Sequence, residues 1–357
     1  MNHFRQIAEK LNEYVLDGML LTGEANRFYA SGFHSIATDG VALVTRGKSY
    51  YFTDSRYIEA ANRYVQGAEI RMVSRGHGYA MQIDEVVREH KLHRLGFEDA
   101  TMTVADWRAY PKALSCALVP ATDLLLELRR VKDDEELTNM ISAQRITEKA
   151  LDEILNEIRT GVTEKELAAR LQYLVLHYGA ENMSFDAIVL SGANSSLPHG
   201  VPSDKKIESG DFVTLDFGCI YHGYCSDMTR TVAVGFATEE MQLVYNTVLA
   251  AQKAGIAAAR AGTTGQEIDA AARKVIAAAG YGEYFGHSFG HGVGVEVHEA
   301  PNASPSNEKP LPAGTIISAE PGIYLPGKMG VRIEDVILLR EDGCCDITKA
   351  GRKLLIL

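Results

Sequence analysis

Two acidic residues stand in consecutive runs that alternate apolar and polar side chains, Asp216 in FVTLDFG and Asp227 in SDMTRTV, with Tyr221-His222-Gly223-Tyr224 between them. Alternation of period two marks half-buried strands, and the intervening segment supplies a tight turn. A hairpin of that kind pairs residues whose numbers sum to about 445, so Phe217 faces Met228 while Asp216 and Asp227 share the other side as diagonal neighbours. Carboxylates leaning together from a half-buried sheet face are costly unless a cation lies between them. Glu320 and Glu334 sit in a second pair of strand-like runs, Thr315–Glu320 and Val331–Leu339, separated by the turn signals Pro321-Gly322 and Pro326-Gly327. Arg332, two residues before Glu334 on one expected strand, points the same way. Any one of these acids alone reads as an exposed edge residue; four of them in runs this apolar point to a metal site.

Histidines accompany the acids. His287 and His291, in Gly-His-Ser-Phe-Gly-His-Gly-Val-Gly, are four apart like zinc ligands on a helix, but Gly286, Gly290, Gly292 and Gly294 disfavour a helix there. Glycines so dense let backbone approach a crowded site. Their G-x-G-x-G spacing, with no helix opening after it, does not fit a dinucleotide loop. His199 and His298 each head a His-x-x-Pro segment, His199-Gly-Val-Pro202 and His298-Glu-Ala-Pro301, and these belong to an internal repeat. Each copy begins with a G-x-T-x-x-E capping box that opens a helix, at Gly161–Glu166 and at Gly262–Glu267. Each later reaches an acid through Gly-x5-acid, Gly210 to Asp216 and Gly314 to Glu320. Offsets of 101, 99 and 104 in the same order indicate two duplicated α/β halves about a pseudo-two-fold axis, which would gather the four acids near that axis. The other seven histidines (3, 34, 77, 90, 93, 177 and 222) fall in no usable pattern.

The elements that must carry these residues are legible in outline. Residues 4–16 alternate as an amphipathic helix; Met19–Leu21, Gly40–Val44 and Tyr50–Phe52 read as strands; 55–66, 78–91 and 103–115 read as helices. The charge run Lys132–Glu136 opens a long helix from about Asp133 to Arg159, with acids placed favourably in its first turn. An α/β (α+β) chain of two domains is expected, 1–124 and 125–357, as 357 residues suggest. Through residue 128 there are 14 Lys/Arg against 16 Asp/Glu, and from 129 onward 22 against 31, so most of the net −11 lies in the second part. Neither part offers the basic face a nucleic acid requires. No apolar run reaches the ~18–20 residues of a membrane span. The charged N-terminus does not read as a secretory signal, and five cysteines without a C-x-x-C suggest neither a disulfide framework nor a zinc ribbon. A cytoplasmic address, with no membrane and no nucleic acid as partner, is the expectation.

LDFG at 215–218, SDMTRT at 226–231, GHGVG at 290–294, AEPGIY at 319–324 and RIEDV at 332–336 resemble, in this order, the metal-binding motifs of the pita-bread (M24-type) metallopeptidases. The branch they resemble is that of Xaa-Pro dipeptidase (prolidase) and aminopeptidase P. NRFYASGF at 26–33 and TDSRYIEAA at 53–61 extend the likeness to that branch's N-terminal domain, so it covers almost the whole chain. The resemblance implies a creatinase/prolidase-like N-terminal α/β domain and a catalytic pita-bread domain with two divalent metal ions. It implies Asp216, Asp227, His291, Glu320 and Glu334 as ligands, with Asp227 and Glu334 bridging. It further implies that His199, His287 and His298 line the substrate site, and it suggests a homodimer. In similar prolidases a loop comparable to Gly32–Gly40, here holding His34 and Asp39, can approach the partner's active site.

Four carboxylates and one imidazole form a hard donor set suited to Mn²⁺, put first here, or to Co²⁺, Fe²⁺ or catalytic Zn²⁺. Two such ions can acidify a shared water and polarise a scissile carbonyl. His298 is assigned to stabilise the resulting oxyanion, and Glu320, on the resemblance, to move the proton to the leaving nitrogen. Arg332 is expected to hold Glu334 or a substrate carboxylate. The expected substrates are Xaa-Pro dipeptides or short peptides cut at the N-terminal bond. A methionine aminopeptidase would share the five ligands but needs neither the N-terminal domain nor Arg332. A creatinase-like hydrolase lacks the ligands, and a non-catalytic pita-bread peptide-binding module would be expected to have lost some.

Overall fold

The computed structural model describes residues 2–36 and 39–357. They form two compact units, Met1–Arg129 and Arg130–Leu357.

In the first unit a six-stranded sheet runs in the order Glu69–Met72, Ser49–Thr53, Gly40–Thr45, Gly18–Leu21, Arg94–Phe97 and Ala117–Pro120. The central strands are buried on both faces, which accounts for their unbroken apolar runs. Leu20, Leu43, Tyr50 and Phe52 pack with Ile83 and Val86 of the helix Tyr79–Glu89. The N-terminal helix is shorter than its 4–16 periodicity suggests: it covers Phe4–Lys10, and the chain then turns through Val15, at a φ of 54°, to enter the first strand. Of the loop expected at 32–40, residues 37 and 38 lie outside the described residues. His34 stacks on Phe28 at 4.0 Å, and Asp39 pairs with Arg56 at 2.6 Å.

The second unit is built twice over. In its first half the helices Asp134–Ile154 and Glu164–His177 pack their apolar faces onto a sheet ordered Met228–Ala233, Phe212–Phe217, Ile188–Ser191. The second half sets Glu239–Ala258 and Gly265–Ala278 against a sheet ordered Glu299–Ala303, Gly290–Gly292, Ile316–Ala319, Asp335–Arg340, Gly343–Asp346. The repeat expected from the sequence is present in atomic detail. Thr163 and Thr264 both cap their helices reciprocally with Glu166 and Glu267, and equivalent backbone bridges follow, Thr163 to Lys206 and Thr264 to Pro310.

The acid-bearing hairpin has the expected register, Phe217 opposite Met228 and Asp216 opposite Thr229. It continues beyond an interruption at Gly218 into Cys219–Tyr221 and Tyr224–Cys225, closing through His222 and Gly223, both at positive φ. At Gly218 only hydrogen fits, because a Cβ would lie 1.9 Å from the Ser226 carbonyl oxygen. Val331–Leu339 departs from its reading as one strand. Met329–Arg332 pairs with Gly322–Leu325, whereas Asp335–Arg340 joins the five-stranded sheet. The break falls at Ile333-Glu334, where the Glu334 N–H donates to the Thr229 carbonyl at 3.1 Å and crosses to the other half.

Candidate metal centre

Each acid sits at a strand end or a strand interruption. Asp216 is the last residue but one of the strand Phe212–Phe217, Asp227 precedes Met228–Ala233, Glu320 follows Ile316–Ala319, and Glu334 occupies the break after Arg332. His291 is the middle residue of Gly290–Gly292, flanked by glycines that permit close packing: a Cβ on Gly290 would lie 2.0 Å from the Ser318 carbonyl oxygen. One cavity of about 400 Å³ is lined by Asp216, Asp227, His291, Glu320, Glu334, His199, His287, His298 and Arg332. All nine residues singled out in the sequence therefore meet in one place.

Within the cluster, Asp227, His291 and Glu334 present ligand atoms within 4.8 Å of one another. His291 Nδ1 lies 3.1 Å from the Gly292 carbonyl oxygen, so Nε2 is the atom presented to the acids, 3.1 Å from Glu320 and 3.6 Å from Asp227. Glu320 also accepts from Ser318 Oγ at 2.9 Å, and Glu334 accepts from Thr229 Oγ1 at 2.7 Å. Asp216 Oδ1, Asp227 Oδ1 and Glu334 Oε1 are buried with no hydrogen-bond partner among the described residues. Three orphaned carboxylate oxygens on residues that line one cavity are what a bound cation satisfies, so the residues fit a metal site.

The electrostatics agree. Burial, with the charge of Asp216 behind it, pushes the Asp227 carboxyl well above the usual carboxylate range; burial and the charge of Asp227 do the same to Glu334. Glu320 is held low: burial would raise it, but the hydrogen bond and charge of His291 and the charges of His287 and Arg332 outweigh that. Burial would lower His291, yet Glu320 and Asp227 carry it up to about 9. Burial keeps His298 below its ordinary value and so neutral near pH 7, with its ring against His291 at 4.2 Å.

One expectation changes. Arg332 holds neither Glu334 nor an open position. Its Nη2 pairs with Asp216, Nε donates to Thr229 Oγ1 at 3.1 Å, and Nη1 donates to Tyr324 Oη at 2.7 Å. His287 lines the cavity but spends both ring nitrogens, Nδ1 on the Ser288 carbonyl and Nε2 on Tyr324 Oη, each at 2.9 Å. Tyr324 thus receives from Arg332 and passes its own proton toward His287. It lines the cavity and is a residue the sequence reading missed, although it ends the AEPGIY motif. Behind the site, Asp335 pairs with Arg230 at 2.7 Å and with Arg352 at 2.8 Å, and Arg230 also donates to the Glu334 carbonyl.

Buried carboxylates and an imidazole, with three carboxylate oxygens unpartnered among the described residues, on a duplicated α/β unit, fit a metal-dependent enzyme. Residues 138–341 match metallopeptidase family M24, and residues 4–131 match the creatinase/prolidase N-terminal domain. The chain belongs to metallopeptidase family M24. It is 37% identical to the Xaa-Pro dipeptidase of Pyrococcus horikoshii over 98% of both chains. Among solved structures, Xaa-Pro dipeptidase from Bacillus anthracis is 42% identical, with a TM-score of 0.94 over 99% of this chain and 100% of that one. X-Pro aminopeptidase from Thermotoga maritima is 36% identical, also at 0.94, over the whole of both.

Proposed function

We propose that this metallopeptidase hydrolyses the bond between an N-terminal residue and a following proline, in dipeptides or short peptides. The cluster of orphaned carboxylate oxygens in the wall of the cavity carries the metal part of the reading. The relatives, among them a dipeptidase and an aminopeptidase, support the proline part. Two divalent ions would be held by Asp216, Asp227, His291, Glu320 and Glu334, with Asp227 and Glu334 shared; Mn²⁺ comes first for so hard a donor set, then Co²⁺ or Zn²⁺. When bound, such ions supply Lewis acidity toward water and the scissile carbonyl. Neutral His298 donates a hydrogen bond to the developing oxyanion. Glu320 takes a proton on the water side and delivers it to the proline nitrogen. His199, on an exposed turn at the cavity wall, contacts the proline side. The catalytic part is 125–357, and a cytoplasmic homodimer completes the reading.

Chelation tests it. Stripped protein should lose hydrolysis of Xaa-Pro and Xaa-Pro-Xaa-Xaa substrates and regain it with Mn²⁺ or Co²⁺; turnover that survives complete stripping would overturn the assignment. A thermal prediction accompanies it. Ions that bind only the folded chain stabilise it by about 2.7 kcal/mol at a hundredfold excess over Kd, a rise of roughly 5–10 °C for a unit of this size. Equal melting temperatures with and without saturating Mn²⁺ would contradict a preformed acidic site.

A further inference from the structure

Glu164 opens the helix Glu164–His177 and is fully buried. Its partner in the other half of the repeat is Gly265, since both follow the capping threonine. The Glu164 carboxylate is a clamp with two jaws. Oε1 accepts from the Ser191 N–H at 2.6 Å and from Ser191 Oγ at 3.0 Å. Oε2 accepts from the Ser203 N–H at 2.9 Å and from Ser203 Oγ at 2.7 Å. Asn194 Nδ2 spans both oxygens, at 3.1 and 3.2 Å.

The two jaws therefore seize the two ends of segment 191–203, whose middle carries Pro198 and His199 into the cavity wall. The outer side of the segment rests on the hairpin that ends in Arg332. Ser195 Oγ accepts from the Gly330 N–H at 2.8 Å, and the Pro198 carbonyl accepts from Arg332 Nη1 at 3.4 Å. In the other half no carboxylate intervenes: a Cβ on Gly265 would lie 2.4 Å from the Asn302 carbonyl oxygen, so backbone packs directly on the helix start. The other half, whose corresponding segment carries His298, thus closes without an acid at this position, and a carboxylate clamp is present only behind the segment that carries His199.

We propose that Glu164 is a positioning residue for peptide hydrolysis, fixing His199 against the substrate through segment 191–203. The proposal rests on the substrate-site reading of His199. Glutamine cannot replace it, because each oxygen accepts from a backbone N–H: whichever way the amide turns, its NH₂ meets a donor that cannot be reversed.

The test is a double-mutant cycle on the metal-loaded full chain, with whichever N-terminal substrate the wild type cleaves fastest. That choice keeps the result independent of the proline assignment, which a wild type indifferent to proline would sink separately. Glu164→Gln should lower kcat/KM by roughly ten- to a hundredfold, the scale of a displaced contact group, with metal content unchanged. In a His199→Ala background the same change should add less than about twofold, because the two residues act as one. Ser203→Ala, which removes one of the clamp's donors and spares the helix start, should show a smaller loss that also vanishes with His199→Ala; it stands in if Glu164→Gln fails to fold. Wild-type turnover in Glu164→Gln or in His199→Ala, or losses that multiply in the cycle, would overturn the proposal.

Discussion

Asp227→Asn should reduce peptide hydrolysis by at least about a thousandfold at saturating Mn²⁺, as expected when the chemistry depends on the ion it helps to hold. The residue is 3% exposed, its Oδ1 has no partner among the described residues, and it shares ligand distance with both His291 and Glu334. An amide keeps the shape but trades an oxygen for a donor and removes one negative charge from a site that must balance dications. Misfolding can be separated from ligand loss by the sign of the stability change. A carboxyl whose pKa is raised by folding destabilises the fold once it ionises, and Asp227 is such a group, through burial first and the charge of Asp216 second. The neutral amide removes that cost, so the metal-free variant should melt no lower than metal-free wild type near pH 7. Elemental analysis should find less than the wild-type metal content. A variant with full metal content and normal turnover would remove Asp227 from the centre.

Much of this arrangement could be read from the sequence because local rules and long-range packing agree there. Alternation and a short turn determine a hairpin register, so the pairing of Phe217 with Met228 follows from arithmetic. Capping boxes name both helix starts, and the repeat then places the acids together. Elsewhere a local pattern admits two structures. Val331–Leu339 reads as one strand-like run, yet Glu334 leaves its sheet to bond Thr229 in the other half, a contact that no sequence window contains. That departure also undoes the expected link between Arg332 and Glu334 and directs the guanidinium to Asp216. Tyr324 looks like any strand aromatic until its hydroxyl is found between Arg332 and His287. Glu164 was concealed by its surroundings: an acid in the first turn of a helix is accounted for by the dipole, and nothing nearby in sequence announces that Ser191 and Ser203 converge on it.

Arg332→Lys should lower kcat/KM for Xaa-Pro substrates by about a hundredfold, while metal content stays near the wild-type value. The guanidinium joins four groups at once: it pairs with Asp216, donates to the Thr229 hydroxyl that holds Glu334, donates to Tyr324, which continues to His287, and reaches the Pro198 carbonyl. A lysine ammonium has one nitrogen and cannot span that set, although it keeps the charge near Asp216. Asp216 should then still ligate, but Tyr324 and His287 lose the partner that orients them, and the loss should appear in kcat more than in KM. The specificity prediction rests on the same wall of the cavity. A proline amide has no N–H and a fixed φ, so a site for it must recognise the ring and the free amine instead of extending a backbone ladder. The acidic cluster offers a place for that amine, which confines cleavage to the N-terminal bond. Metal-loaded wild type should therefore cleave Xaa-Pro bonds at least about tenfold faster than Met-Ala bonds in peptides of equal length, the lower end of what pocket discrimination supplies. Equal rates on the two series would refute the proline assignment and favour a general aminopeptidase of the methionine type.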